Sequence, residues 1–188
     1  MAKVKLNPSI ECIHGAIGDL VYKRWGGGEI VGRLPDRTGI VPTENQLAQM
    51  ERFRLAAVYG KAVMADPETR QVYEDASSQK GVPVFALTVA DFLNAPLVDE
   101  IDLSTYGGKI GDKIRVRASD DVEVKGVTVE IRAQAGAILE QGAAVFTPAV
   151  GAWVYTATTD LAQGQAVSID VSATDRPGHK GTKTQARN

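Results

Sequence analysis

Reactive side chains are scarce in this chain. Its 188 residues include one cysteine, Cys12, and two histidines, His14 and His179. A single thiol cannot close a disulfide within the chain, so packing and hydrogen bonding must hold the fold. One Cys and two distant His give no zinc-ligand spacing. Nucleophilic catalysis needs a base within reach of the nucleophile, and neither histidine lies in a recognisable motif, so the expectation is a protein that is not an enzyme. No apolar stretch approaches membrane-spanning length, and the opening Met1-Ala-Lys-Val-Lys-Leu-Asn-Pro lacks the apolar core of a secretory signal. Synthesis in the cytoplasm is expected, with an extracellular filament or a virion reached without a cleaved signal left open. A formal net charge of -2 produces no long-range field. Neither nucleic acid nor an anionic membrane surface is therefore an implied partner.

What is present fits an ordinary folded protein, with 44% hydrophobic and 23% charged residues. The length suffices for one small sandwich plus a lesser element packed on it. Val4 and Leu6 alternate with Lys3 and Lys5, the period of a short strand. Leu20–Trp25 runs into Gly26-Gly27-Gly28, and 29–34 runs out, which signals a hairpin because glycine accepts the positive φ of a tight reversal. A phosphate-binding loop would need a following Lys-Ser/Thr and a helix, and this glycine run has neither.

The period then changes. Thr43 and Gln46 have capping-box spacing, and Leu47, Met50, Phe53, Ala57 and Met64 recur at three-to-four-residue intervals, which predicts an amphipathic helix over 44–64. Asp66-Pro67 begins a second helix carrying Val72, Tyr73 and Ala76, stopped at Gly81. A third passes through Phe85, Val89, Phe92 and Leu93 and ends at Asn94-Ala95-Pro96. Beyond Leu97 only alternating runs remain, at 98–103, 113–118, 127–132, 138–146, 153–158 and 167–173. The basic tail from Arg176 to Lys183 reads as a last edge strand or a free end. The predicted fold class is α+β: an N-terminal hairpin and helical region over 1–96, then an antiparallel β-sandwich of immunoglobulin-like size over 97–188.

Val167-Ser168-Ile169-Asp170-Val171-Ser172-Ala173-Thr174-Asp175-Arg176-Pro177-Gly178-His179 resembles the penultimate strand and following turn of bacterial immunoglobulin-like domains, which run into an Ala-x-Asp-x-x-Gly-Asn turn. His179 stands here where Asn is usual. Lys125-Gly126-Val127-Thr128-Val129 and Trp153-Val154-Tyr155 sit where such domains place central strands. The resemblance implies a fold used as a spacer, an adhesin module or a building block of virions and filaments. Gly15-Ala16-Ile17-Gly18-Asp19-Leu20-Val21-Tyr22-Lys23-Arg24 resembles the start of small uncharacterised bacterial proteins with a Gly-x-x-Gly-x-x-Val-Tyr-x-Arg run, which implies an architecture and no activity.

Two sets of candidate residues follow. An alternating strand and a hairpin tipped by an aromatic offer backbone edge and apolar surface to a neighbouring sheet, so Val4, Leu6, Tyr22, Trp25 and Ile30 form a candidate interface between copies of this chain. Flat aromatic faces also stack on sugars, which makes a carbohydrate, a cell surface or a phage particle the alternative partner. Trp153 reads as core. Asp120, Asp121 and Asp175 end predicted strands, and oxygen-rich clusters of this type hold Ca²⁺ in some sandwiches. The plainer reading is that turn aspartates bond their own backbone and need no cofactor.

Overall fold

A computed structural model describes residues 2–4, 13–26, 28–36, 38–39, 41–162 and 164–187, with the backbone alone for 2–4. The fold is α+β. The chain parts into two compact units, Met1–Glu44 and Asn45–Asn188. The change from helix to strand after residue 96 falls inside the second unit.

The first unit is one antiparallel sheet in the order β1-β4-β3-β2, made of β1 (Ala2–Val4), β2 (Gly15–Ile17), β3 (Leu20–Trp25) and β4 (Gly28–Arg33). Gly26, at φ 57°, makes the tight reversal between β3 and β4. The expected free strand at the start is not free over Ala2–Val4. It pairs with β4, placing Val4 opposite Glu29. A ribbon of two strands is marginal in water, and added ladders satisfy its outer backbone groups. Strand β2, which the sequence reading missed, pairs with β3 in the same way.

The second unit begins with three helices, α1 (Glu44–Ala65), α2 (Pro67–Lys80) and α3 (Val84–Leu93). Asp66 caps α2, its carboxylate accepting from the Thr69 N–H, and Gly81 closes it in the left-handed region at φ 67°. The face that α1 buries differs from the predicted one. Ala56, Gly60 and Val63 go inward, while Leu47, Met50 and Phe53 lie exposed. Small residues win because α3 comes very close. A Cβ at Gly60 would stand 2.6 Å from the Thr88 hydroxyl and 2.9 Å from the Phe85 ring. Alanine is the better helix former by about 1 kcal/mol, yet Gly60→Ala should still lower stability by about 1–2 kcal/mol, because the overlap outweighs the propensity gain. Urea unfolding of the variant beside the wild type measures this.

Seven strands follow: β5 (Leu97–Asp102), β6 (Lys113–Ser119), β7 (Gly126–Ala133), β8 (Ile138–Thr147), β9 (Ala152–Thr156), β10 (Val167–Thr174) and β11 (Lys180–Arg187). They form an antiparallel sheet in the order β11-β10-β7-β8-β9-β6-β5. Alternation places Val127, Val129 and Ile131 of β7 against Ala173, Val171 and Ile169 of β10, all buried. In β5 the buried residues Val98 and Ile101 are three apart, out of step with a flat strand. A register shift between Val98 and Glu100 restores the inward face. The long strand β8 serves two neighbours, pairing with β7 through Ile138–Ala144 and with β9 through Val145–Thr147. The sheet curls until its ends meet. Lys183 of β11 donates to the Asp99 carbonyl of β5, and the Arg187 guanidinium donates to the Gly107 carbonyl at 2.5 Å.

Candidate functional site

In the sheet of the first unit, cross-strand partners share a face. Leu20, Tyr22 and Arg24 of β3 therefore lie with Ile17, Val31, Glu29 and Arg33, while Val21, Lys23 and Trp25 lie with Ala16, Gly28, Ile30 and Gly32. The five predicted interface residues do not make one patch. Tyr22 occupies the first face, and Trp25 and Ile30 occupy the second. Val4 marks a backbone position in β1, and Leu6 lies outside the described residues.

Neither face has a covering layer formed by the described residues of this unit. Among the described residues from 13 to 43, none is buried. Trp25 is 76% exposed, and Ile17, Leu20, Leu34 and Val41 are exposed with it. The edges are incomplete too. The β2 ladder stops at Tyr22, so the outer edge of Lys23–Trp25 has no strand partner among the described residues. The same character continues into the first three turns of α1, where every residue from Glu44 to Leu55 is exposed, including Leu47, Met50, Phe53 and Leu55.

The three aspartates proposed for calcium are held by separate protein partners. The Asp120 carboxylate accepts from the Glu123 N–H at 3.2 Å and the Val122 N–H at 3.4 Å. Asp121 accepts from the Asn94 amide at 2.6 Å and faces the Lys80 ammonium at 3.8 Å. Asp175 accepts from the Gly178 and His179 N–H groups at 2.7 and 2.6 Å, closing the turn into β11. This is the role expected of turn aspartates, and it gives the Asp-x-x-Gly spacing its physical reason. Among the described residues no three His, Cys, Asp or Glu side chains are placed to hold a metal ion.

Sequence reasoning missed Asp91, the sole charged residue of α3. It is wholly buried. Tyr73 of α2 donates to its Oδ2 at 2.5 Å, and Tyr59 of α1 stands 2.8 Å from the Tyr73 oxygen. Since the Tyr73 proton is committed to Asp91, Tyr59 is the donor in that second bond. Burial first, then the neighbouring charges of Asp120 and Asp175, push the Asp91 carboxyl up to about 7 against the opposing bond from Tyr73. On the other side of the turn, His179 Nδ1 lies 3.3 Å from Asp175 Oδ2, and the His179 ring meets Phe92 edge-on at 5.1 Å. The available signal was one acid inside an apolar helical run, because a carboxyl there must find partners or a proton.

A second buried acid lies within the curled sheet. Glu140 of β8 takes an inward position and accepts at one oxygen from the Tyr155 hydroxyl (2.6 Å), the Thr158 N–H (2.5 Å) and the Thr158 hydroxyl (2.8 Å). Burial works to raise this carboxyl, but the bonds from Tyr155 and Thr158 outweigh it and hold it below its ordinary value. Trp153 is half-buried against the main core and tilted on Phe146 at 5.5 Å. No helix among the described residues is long and apolar enough to cross a membrane.

No family model and no curated protein matches this chain. Over 48% of its length it is similar to an engineered protein of known structure, at 24% identity and a TM-score of 0.36, spanning 19% of that chain. Over 50% it is similar to a conjugative transposon lipoprotein from Bacteroides eggerthii, at 12% identity and a TM-score of 0.24, spanning 94% of that chain. Superpositions this loose carry no weight for fold or function.

Proposed function

We propose that this chain is a non-enzymatic assembly subunit whose N-terminal sheet is completed by another copy of itself, with an immunoglobulin-like sandwich as scaffold. One observation carries the reading: the described residues of the first unit form a single layer of sheet, in which none from 13 to 43 is buried. A sheet must bury at least one face against another layer, and isolated ribbons are marginal in water. Apolar side chains on both faces and an open edge at Lys23–Trp25 fit addition of a neighbour's strand with side-chain packing around it. A net charge of -2 puts little repulsion between identical copies. A contact of this type that does not close on itself builds a filament.

The scaffold reading is supported by connectivity. In the order of the sheet, β5, β6, β9 and β8 are successive neighbours, followed by β7, β10 and β11. The same neighbour order, A-B-E-D and C-F-G, is found in immunoglobulin-like sandwiches, which supports the reading.

Light scattering coupled to size-exclusion chromatography across roughly a hundredfold range of protein concentration tests assembly. Oligomers are expected, and the double variant Tyr22→Asp/Trp25→Asp, charged on both faces, should run as a monomer with the circular dichroism of the sandwich intact. A wild-type monomer at every concentration would sink the reading. A second reading, recognition of carbohydrate or of a cell-surface or phage-particle partner, is favoured by one observation, the 76% exposure of Trp25 at the hairpin end. Glycan binding by a monomeric chain, abolished in Trp25→Ala, would establish it instead.

A further inference from the structure

We propose that the outward face of α1 pairs with the same face of a second copy, antiparallel, about a two-fold axis level with the Arg52–Phe53 peptide. This face is opposite the one that packs on α3. Ala56, Gly60 and Val63 point inward. With about 3.6 residues per turn, the side turned away from them carries Glu44, Leu47, Glu51, Arg54, Val58 and Lys61. All six are exposed, Leu47 by 52% and Val58 by 54%. They recur at alternating intervals of three and four residues, the period with which one helix meets another along a seam.

Charge names the partner. Reversing this stretch about its midpoint exchanges Glu51 with Arg54, Leu47 with Val58 and Glu44 with Lys61. In an antiparallel pair, residues related in this way stand across the seam from each other. Acid then faces base and apolar faces apolar at every seam position, and the two-fold axis repeats each contact. Within one helix Glu51 and Arg54 are already drawn together, with Arg54 Nη2 lying 2.6 Å from the Glu51 carboxylate. Two such ion pairs brought together antiparallel alternate in sign around a square. A parallel pair would set Glu51 beside Glu51 and Arg54 beside Arg54, which like-charge repulsion opposes. The flanks are apolar as well. Met50 comes against Ala57 of the second copy and Leu55 against its Ala48, so the exposed Met50 and Leu55 leave water along with Leu47 and Val58.

Charged residues at four of the six seam positions make the pair weak by itself, because each gives up water that its counterpart only partly replaces. The pairing therefore rests on the assembly proposed above. Copies held by their N-terminal sheets present these helices to one another at high local concentration, and the pair disperses with the assembly in Tyr22→Asp/Trp25→Asp.

Disulfide trapping on the full chain, with Cys12→Ser throughout, tests the pairing. In Leu47→Cys/Val58→Cys each new thiol meets its complement in the second copy, so oxidation should give covalent dimers. Within one helix the two positions are about 16 Å apart and cannot bond. Either cysteine alone has no counterpart across the seam and should cross-link at least about tenfold less. Mixing tests the charges. Glu51→Arg and Arg54→Glu, each added to the two cysteines, should lose about tenfold in dimer yield, and an equimolar mixture should recover it, since opposite charges face each other again in the mixed pair. A helix merely destabilised by either change would not recover on mixing. Absence of the dimer in the double-cysteine chain overturns the pairing, whatever the state of assembly. So does equal cross-linking of Leu47→Cys alone, which a parallel seam gives, or a mixture that fails to recover. Light scattering judges the sheet contact separately: a monomeric wild type defeats that reading, and oligomers without the cross-link defeat this one.

Discussion

Gly181→Ala is expected to unfold the curled sheet or cost it at least about 3 kcal/mol. Gly181 sits in β11 opposite Ala173, at the seam where the sheet meets its other end. A Cβ there would fall on the Pro96 carbonyl oxygen, well inside contact distance, with the Pro96 carbonyl carbon at 2.7 Å. The obstruction is backbone, so no side chain can swing aside. Relief requires β11 and β5 to separate, which also breaks the Lys183 and Arg187 bonds across the seam. Urea unfolding followed by circular dichroism gives the loss directly. A midpoint within experimental error of the wild type would show that the two strands do not meet as described.

Glu140→Ala should cost about 3–4 kcal/mol by the same measurement. Three donors converge on one carboxylate oxygen, and removing it leaves the buried Tyr155 hydroxyl without its acceptor and frees the Thr158 N–H and hydroxyl. Glu140 is held below its ordinary 4.5, so its contribution is present above that value and is lost as pH falls through the lowered one. Wild-type melting temperature should therefore drop at strongly acidic pH. Glu140→Gln should flatten that part of the curve. Persistence of the acid limb in Glu140→Gln would assign it to other carboxylates.

The β-rich part was legible because its code is local. Alternation in Val127–Ile131 and Val167–Ala173 specifies strands with one buried face whatever their neighbours. The Asp66-Pro67 and Gly81 signals likewise mark α2 with little ambiguity, since capping chemistry is confined to a few residues. What remained hidden depends on proximity across the fold. The exposed Leu47, Met50 and Phe53 look like the core face of α1 until α3 arrives to demand Ala56 and Gly60 instead. Tyr73 and Asp91 lie on different helices, and nothing local to either says that they share a bond. Tyr22 and Trp25 read as one patch in a linear sequence, yet three steps along a strand reverses the direction of the side chain.

The closure between β5 and β11 has a consequence for how the protein is made. Its contacts join residues separated by 80 and 84 positions, among them Arg187 with Gly107 and Lys183 with Asp99. During synthesis the N-terminal sheet, the helices and β5 leave the ribosome with the partner of that edge still untranslated. The emerging polypeptide thus carries an open strand edge alongside the uncovered N-terminal sheet for as long as it takes to complete β11, and on a polysome neighbouring nascent copies hold the same surfaces side by side.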